Sequence, residues 1–214
     1  MTPQDWRTYL VTQESRSAGR STVEIAEAAI EGGVDAIQLR DKNRSAKRRY
    51  ETGQELRELT AEAGVDLIVN DRVDLARAID ADGVHLGQDD LPVPAARELL
   101  GADAVIGKST STVAEAREAE REGADYLGVG AVYGTSSKDV PDDEADFGPG
   151  RVAEIADAVE IPVAGIGGID ASNAAAVAEA GAVGVAVISA ITRADDPAAA
   201  TRALREAVER GRER

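Results

Sequence analysis

The sequence predicts a single-domain α/β fold, a closed (β/α)8 TIM barrel spanning 1–214, and three observations predict it. Eight short apolar, β-branched runs alternate with Ala/Glu/Arg-rich stretches of helical period. The runs are apolar almost throughout rather than every second residue, as a parallel sheet covered on both faces requires. No Pro/Gly/Ser linker divides the 214 residues, and barrels of this class run to ~200–250 residues as one unit. A doubly wound open sheet shares the alternation and is the runner-up.

The elements follow in order. Strands are expected at Thr8–Thr12, Ala36–Arg40, Asp66–Asn70, Gly83–Gly87, Ala104–Ser109, Tyr126–Val132, Pro162–Gly167 and Gly184–Ser189. The helices between and after them are expected near 21–32, 45–63, 73–80, 93–100, 112–123, 150–159, 172–180 and 196–210. Gly32-Gly33, Gly64, Gly123 and Gly181 stand where a helix gives way to the next strand, where glycine supplies the left-handed C-terminal cap. One connection breaks the rhythm: the polar stretch GTSSKDVPDDEADFGP, Gly134 to Pro149, follows the sixth strand. Loops this long inside compact domains are usually functional, and a lid is the expectation.

Composition narrows the function. There is no cysteine, so disulfides, thiolate metal sites and a Cys nucleophile are excluded. The single histidine, His85, leaves no cluster for zinc. With 40 Asp+Glu against 24 Lys+Arg and a net charge of -16, the surface repels nucleic-acid phosphates. No apolar run approaches the ~20 residues of a membrane span and no signal-peptide pattern opens the chain, so a cytoplasmic protein of small-molecule chemistry, without nucleic-acid or membrane partners, is expected. A homo-oligomer is compatible with this. Only Lys42, Lys47, Lys108 and Lys138 are lysines. An acidic, lysine-poor chain suits a salt-loving archaeon, where salt screens self-repulsion; a GC-rich genome, which favours arginine codons, is the alternative.

Active sites of such barrels lie at the carboxyl ends of the strands. Those ends carry Gln38-Leu39-Arg40-Asp41-Lys42, Asn70-Asp71, Gln88-Asp89-Asp90, Lys108-Ser109-Thr110, Thr135-Ser136-Ser137-Lys138, Gly165-Ile166-Gly167-Gly168 and Ile188-Ser189. Three of the four lysines fall there, and with Arg40 they make an island of positive charge suited to a phosphate; ordinary solvated loop bases are the alternative. Asp71 and Asp90 come from neighbouring strand ends, and hard oxygen ligands beside cations suit Mg²⁺ bridged to a phosphorylated substrate. Each also has an ordinary role, Asp71 as a helix cap and Asp90 in a turn. Asp41, Asp74 and Asp89 read as helix-start or supporting groups. Gly168, Ile188 and Ser189 are candidates for a second phosphate site, since the loops after strands seven and eight hold a phosphate in many barrels. His85 reads as a hydrogen-bonded core residue. Trp6, Tyr50, Tyr126 and Tyr133 are too scattered along the chain to argue for a stacking platform. Two anion corners then imply displacement of diphosphate by a second, phosphorylated nucleophile, with the departing charge neutralised by a preorganised positive site.

The segments QLRDK (38–42), ND (70–71), GVHLGQDD (83–90), GKST (107–110), TSSK (135–138), GIGGI (165–169) and VISAI (187–191) together resemble the thiamine-phosphate synthase family. Their order along the chain is that of the family, and they span nearly the whole barrel. The resemblance implies a transferase that joins hydroxymethylpyrimidine diphosphate to hydroxyethylthiazole phosphate with loss of diphosphate. It implies Gln38, Arg40, Lys42, Asn70 and Lys138 around the pyrimidine diphosphate, with Leu39 and Asp41 in the same segment and Ser109 touching pyrimidine or diphosphate. It places Mg²⁺ on Asp71 and Asp90. Thr135, Ser136 and Ser137 would line the thiazole phosphate site, with Gly168, Ile188 and Ser189 taking its phosphate. Arg40, Lys42, Lys138 and Ser109 would be the catalytic set. Two departures stand out. Serines at 136 and 137 keep the hydroxyls where the family often has Thr-x-Thr-Lys, and Lys108 replaces an uncharged residue, adding charge near the diphosphate. A thiazole tautomerase relative would need neither the cations nor the two aspartates. A non-catalytic phospholigand-binding barrel would bind without turnover, and a barrel isomerase would want an acid–base pair instead.

Overall fold

The computed structural model describes residues 2–134 and 147–214. Eight parallel strands close into a barrel in sequence order: β1 Thr8–Val11, β2 Ala36–Leu39, β3 Asp66–Asn70, β4 Gly83–Leu86, β5 Val105–Thr110, β6 Tyr126–Val129, β7 Val163–Ile166 and β8 Gly184–Val187. Around them run α1 Thr22–Glu31, α2 Ala46–Ala63, α3 Val73–Ala78, α4 Val93–Leu100, α5 Val113–Arg121, α6 Gly148–Ala156, α7 Ala174–Glu179, the short α8 Ser189–Thr192 and α9 Pro197–Arg212. The barrel shuts where β8 pairs with β1, Tyr9 opposite Ala186 and Leu10 opposite Val187. All eight expected strands are present, and the open-sheet alternative falls with that closure.

Local chemistry starts the helices where expected. Ser21 and Thr112 accept from the amides of Glu24 and Glu115, whose side chains reach back in capping boxes. Ser45 caps α2 and Asp196 caps α9. Two strand ends differ by more than one residue. The sixth strand stops at Val129, not Val132, and the chain leaves the barrel through a cis Gly130–Ala131 bond. The eighth stops at Val187, because Ile188 leaves the extended conformation and Ser189 begins α8.

Alternation sorts the strand residues into two cores. Leu10, Ile37, Leu39, Leu67, Val69, Val84, Ile106 and Leu127 face outward under the helices in one apolar layer. Trp6, Tyr9, Val11, Ala36, Ile68, Tyr126, Ala186 and Ile188 fill the barrel itself. Glycine makes room for the rings inside. A Cβ on Gly107 would lie 2.2 Å from the Tyr126 ring, and one on Gly128 would lie 2.9 Å from His85.

The amino-terminal end of the barrel is tied by a repeated clamp. Asp35 accepts from the amides of Arg7 and Thr8 at 2.8 and 3.0 Å and pairs with Arg205 at 2.7 Å. Asp82 accepts from Leu67 N–H and pairs with Arg57. Asp125 accepts from Ile106 N–H and pairs with Arg97. Each aspartate thus ties a strand to its predecessor and to a helix outside. Asp66 instead turns inward, where its carboxylate accepts from the Trp6 indole N–H at 2.7 Å.

Two expectations follow for stability. Asp35→Ala takes the carboxylate from two strand amides and leaves Arg205 with Glu209 and the Gly33 carbonyl, and costs about 1–3 kcal/mol, the scale of a buried donor left unpaired; chemical denaturation reads it as a lower midpoint at unchanged m-value. Burial pushes the Asp66 carboxyl above its ordinary value of 3.8, against the Trp6 hydrogen bond. The native state therefore holds this proton more tightly than the unfolded chain, so stability is lost as pH rises through the range above 3.8. Asp66→Asn keeps an acceptor for Trp6, removes that slope and raises the melting temperature at pH 7. A lower melting temperature at pH 7 contradicts this.

Candidate active site

The carboxyl end of β2 supplies alternating roles. Gln38 points into the barrel, and Arg40 continues its face; the Arg40 amide donates to Thr12 Oγ1 at 3.1 Å, and its guanidinium reaches Gln13 Oε1 at 3.4 Å. Leu39 faces the outer apolar layer at 1% exposure, so its side chain does not reach the mouth and only its backbone is available there. Asp41 is also turned away. Its carboxylate accepts from the Glu14 amide at 2.6 Å and from Thr22 Oγ1 at 2.8 Å, tying the segment after β1 to the end of β2. Between these two segments lies a cavity of about 640 Å³ lined by Arg16, Arg20, Arg40, Lys42 and Arg44 among others. Arg16 and Arg20 were not expected at the site. Nothing in their local sequence marks them, since the fold alone brings the segment after β1 beside Arg40.

Beside β2, β3 ends in Asn70 and leads into Asp71. Asp71 adopts a left-handed backbone with φ 62°, a conformation that aspartate tolerates better than most residues. Its amide donates to the His85 carbonyl at 2.9 Å, and its carboxylate pairs with Lys42 Nζ at 2.7 Å. It does not cap α3, which begins after Arg72. Asp90 closes a turn, accepting from the Gly87 amide at 2.6 Å. The two carboxyls interact directly. Burial works to raise Asp71, but hydrogen bonds with Lys42 and Asp90 and the lysine's charge outweigh it, and its pKa falls. Asp90 goes the other way, raised by burial and then by Asp71, against the Gly87 hydrogen bond.

Asp71 and Asp90 are the residues here that could hold a divalent cation. Among the described residues no group of three or more His, Cys, Asp or Glu side chains is set to hold a metal. A two-carboxylate donor set does fit Mg²⁺, which keeps several waters and takes further oxygens from a substrate's phosphates.

Lys108 is placed differently from the expectation. On β5 the inward residues are Val105, Gly107 and Ser109, so Lys108 faces out, buried at 8% exposure. Its ammonium donates to the Gly87 carbonyl at 2.7 Å. Its side chain runs behind the strand, not into the barrel, and its ammonium braces the turn that carries Asp90.

The aromatic residues that look scattered in sequence are gathered by the barrel. Trp6, Tyr9 and Tyr126 pack with ring centroids 4.9–6.1 Å apart beneath Gln38 and Ser109. His85 is buried with a hydrogen bond on each ring nitrogen, to Tyr126 Oη and to Ser109 Oγ. Strand parity is the signal that finds this group: Tyr9, Gln38, His85, Ser109 and Tyr126 all occupy inward positions.

On the opposite rim β7 and β8 pair, Ile166 opposite Ala186, so Gly167-Gly168 and Ile188-Ser189 emerge side by side. Gly168 has φ 62°, and a Cβ there would lie 2.7–2.8 Å from Tyr133 and Gly134; no larger residue fits. Ile188 precedes α8, and Ser189 is its first residue. Thr135, Ser136, Ser137 and Lys138, with most of the expected lid, lie outside the described residues.

Cations and paired carboxylates gathered at the carboxyl ends of barrel strands are what an enzyme acting on phosphorylated substrates uses to hold and discharge them. Among such barrels the chain belongs to the thiamine monophosphate synthase family, whose pattern matches residues 8–191. It is 66% identical over 209 residues to the thiamine-phosphate synthase of Haloarcula marismortui, covering 97% of this chain and 99% of that one. It is also 66% identical over 203 residues to that of Haloquadratum walsbyi, covering 95% and 91%. Among solved structures, the thiamine phosphate pyrophosphorylase of Pyrococcus furiosus superposes with a TM-score of 0.89 at 41% identity, covering 98% of both chains. The two haloarchaeal relatives come from salt-loving archaea, the source class that the charge balance points to.

The brace on Gly87 gives a test of the site's geometry. Lys108→Met keeps the buried stem but removes the donor to the carbonyl, so the Asp90 turn loosens. The Mg²⁺ concentration for half-maximal turnover should rise about tenfold, at the low end of losses behind a metal ligand, with the thiazole phosphate KM unchanged. An unchanged Mg²⁺ requirement contradicts the bracing role.

Proposed function

We propose that the chain makes thiamine phosphate from the two substrates named by its family resemblance, with the catalytic work divided among the residues around this mouth. In the reaction the bond between the pyrimidine methylene carbon and the diphosphate oxygen breaks, and its electron pair leaves with diphosphate. The lone pair of the thiazole ring nitrogen then forms the new carbon–nitrogen bond. Arg40, Lys42 and Lys138 bind the diphosphate and neutralise the charge that grows on it as it departs. Asn70 and Gln38 orient the pyrimidine diphosphate, and Ser109 donates a hydrogen bond to it. Leu39 contributes through its backbone, and Asp41 holds the neighbouring segment in place. Asp71 and Asp90 would hold Mg²⁺, which when bound supplies further positive charge at the diphosphate. Gly168, Ile188 and Ser189 take the thiazole phosphate, helped by Thr135, Ser136 and Ser137. The short α8 after β8 supports this, since barrels of this kind commonly bind phosphate at such a helix start.

The observation that carries the reading is the 2.7 Å ion pair between Lys42, which shares a cavity with Arg40, and Asp71, which lies beside Asp90, at the ends of three neighbouring strands. A tautomerase or a simple phospholigand binder has no use for that set. No helix among the described residues is long and apolar enough to cross a membrane, and the cytoplasm is the setting we assign to this small-molecule chemistry.

The test is an assay with both substrates and Mg²⁺ at high KCl, with thiamine phosphate detected after oxidation to a fluorescent product. Turnover should appear and stop with EDTA. Asp71→Asn and Asp90→Asn should each raise the Mg²⁺ needed for half-maximal rate by about tenfold or more and lower the maximal rate. Unchanged Mg²⁺ dependence in both removes them from the metal site, and no product from folded protein moves the reading to the binding module.

A further inference from the structure

A continuous chain of hydrogen bonds crosses the barrel from β2 to β5. Gln38 Nε2 donates to Tyr9 Oη at 2.6 Å, and Tyr9 Oη and Tyr126 Oη lie 3.0 Å apart. Tyr126 Oη meets His85 Nδ1 at 2.9 Å, and His85 Nε2 meets Ser109 Oγ at 2.8 Å. Its two ends are residues assigned to the pyrimidine diphosphate, and its three middle members are buried at 6% exposure or less. Gly107 and Gly128 leave the space that the Tyr126 and His85 rings occupy.

The polarity of this chain is determined by its first member. An amide NH₂ can only donate, so the Tyr9 oxygen accepts from Gln38. The Tyr9 proton then goes to Tyr126, and the Tyr126 proton goes to His85 Nδ1. Burial pushes both phenols well up from their usual range, so each keeps a proton to pass on. A neutral imidazole that accepts at Nδ1 carries its hydrogen on Nε2 and donates it to Ser109 Oγ. The opposite order would bring two donors onto Tyr9 and leave its own buried hydroxyl proton without an acceptor in the chain.

We propose that Tyr9, Tyr126 and His85 form a positioning relay: they hold His85 as the Nε2–H tautomer, so that Ser109 accepts from within the barrel and turns its own proton outward to the substrate. The functional half of this proposal rests on the assignment of Ser109 to the pyrimidine diphosphate. The relay also couples that serine to Gln38 on the far side of the barrel, so that the pyrimidine diphosphate meets two hydrogen-bonding groups oriented before it arrives. His85 is a positioning residue here and touches no reacting atom.

The test uses the untagged full chain labelled with ¹⁵N-histidine. His85 is its only histidine, so the ring signals need no assignment. The resting protein at neutral pH should show the neutral Nε2–H tautomer. Tyr126→Phe, which keeps the ring that packs against Trp6, should lose that single tautomer. The same variant should lower kcat/KM for the pyrimidine diphosphate about tenfold, the scale of a hydrogen bond to a charged group, while the thiazole phosphate KM stays within about twofold. In a Ser109→Ala background the Tyr126→Phe loss should vanish, because the relay acts only through that hydroxyl. A resting Nδ1–H tautomer or an imidazolium overturns the relay, and so do losses that add in the double variant. If the tautomer is as proposed but Ser109→Ala retains full activity, the assignment of Ser109 to substrate falls, and the functional half of the proposal falls with it.

Discussion

Closure of the barrel through the β8–β1 pairing is the constraint on which the remainder of the structure depends. Once Tyr9 stands opposite Ala186, every strand has two neighbours and a defined inside, and period-2 alternation decides which side chains share the interior. That single geometric condition places Gln38, His85 and Ser109 in one channel and sends Leu39 and Lys108 to the helix side. A slip of one residue in any strand would exchange those roles. The neighbouring positions 38, 39, 40 and 41 accordingly differ: Gln38 turns inward to Tyr9, Leu39 packs outward, Arg40 lines the cavity and Asp41 braces the segment after β1.

The two ends of the barrel are built from the same residue types used in opposite ways. At the amino-terminal end, Asp35, Asp82 and Asp125 are satisfied by strand amides and by an arginine each, so their charge is spent on holding strands together. At the carboxyl end, Asp71 and Asp90 bear on each other, and a single ammonium, Lys42, pairs directly with Asp71 and reaches Asp90 only through its charge. This division between a satisfied end and an electrostatically unfinished one is what separates scaffold from site in a barrel. It also gives meaning to the cations around Arg40. In a chain of net charge -16 a local positive field draws a polyanion to one opening, while the acidic surface elsewhere keeps it off.

The aromatic interior shows how far a polar chain can be carried through a core. Tyr9 and Tyr126 bury large rings, yet their hydroxyls are never left without partners, because each is both donor and acceptor in the line from Gln38 to Ser109. The cost is room, and glycine at 107 and 128 provides it. Two glycines within strands, which would ordinarily weaken a sheet, are there for the rings beside them.

Much of this was legible in the residues alone. Eight apolar runs separated by helical stretches, with glycine at several of the returns, determined the strand order and placed most strand ends to within a residue, because in a parallel barrel each strand pairs with its sequence neighbours and local pattern translates directly into topology. The cations and aspartates at strand ends were visible for the same reason: the fold puts all those ends on one face. What the sequence could not decide was direction and partnership. Leu39 and Lys108 sit within the signature segments and still point away from the mouth. Arg16 and Arg20 reach the mouth without lying on any strand, and Tyr9 meets Tyr126 across 117 positions. Those outcomes depend on strand parity and barrel closure acting together, and only a closed three-dimensional sheet sets both at once.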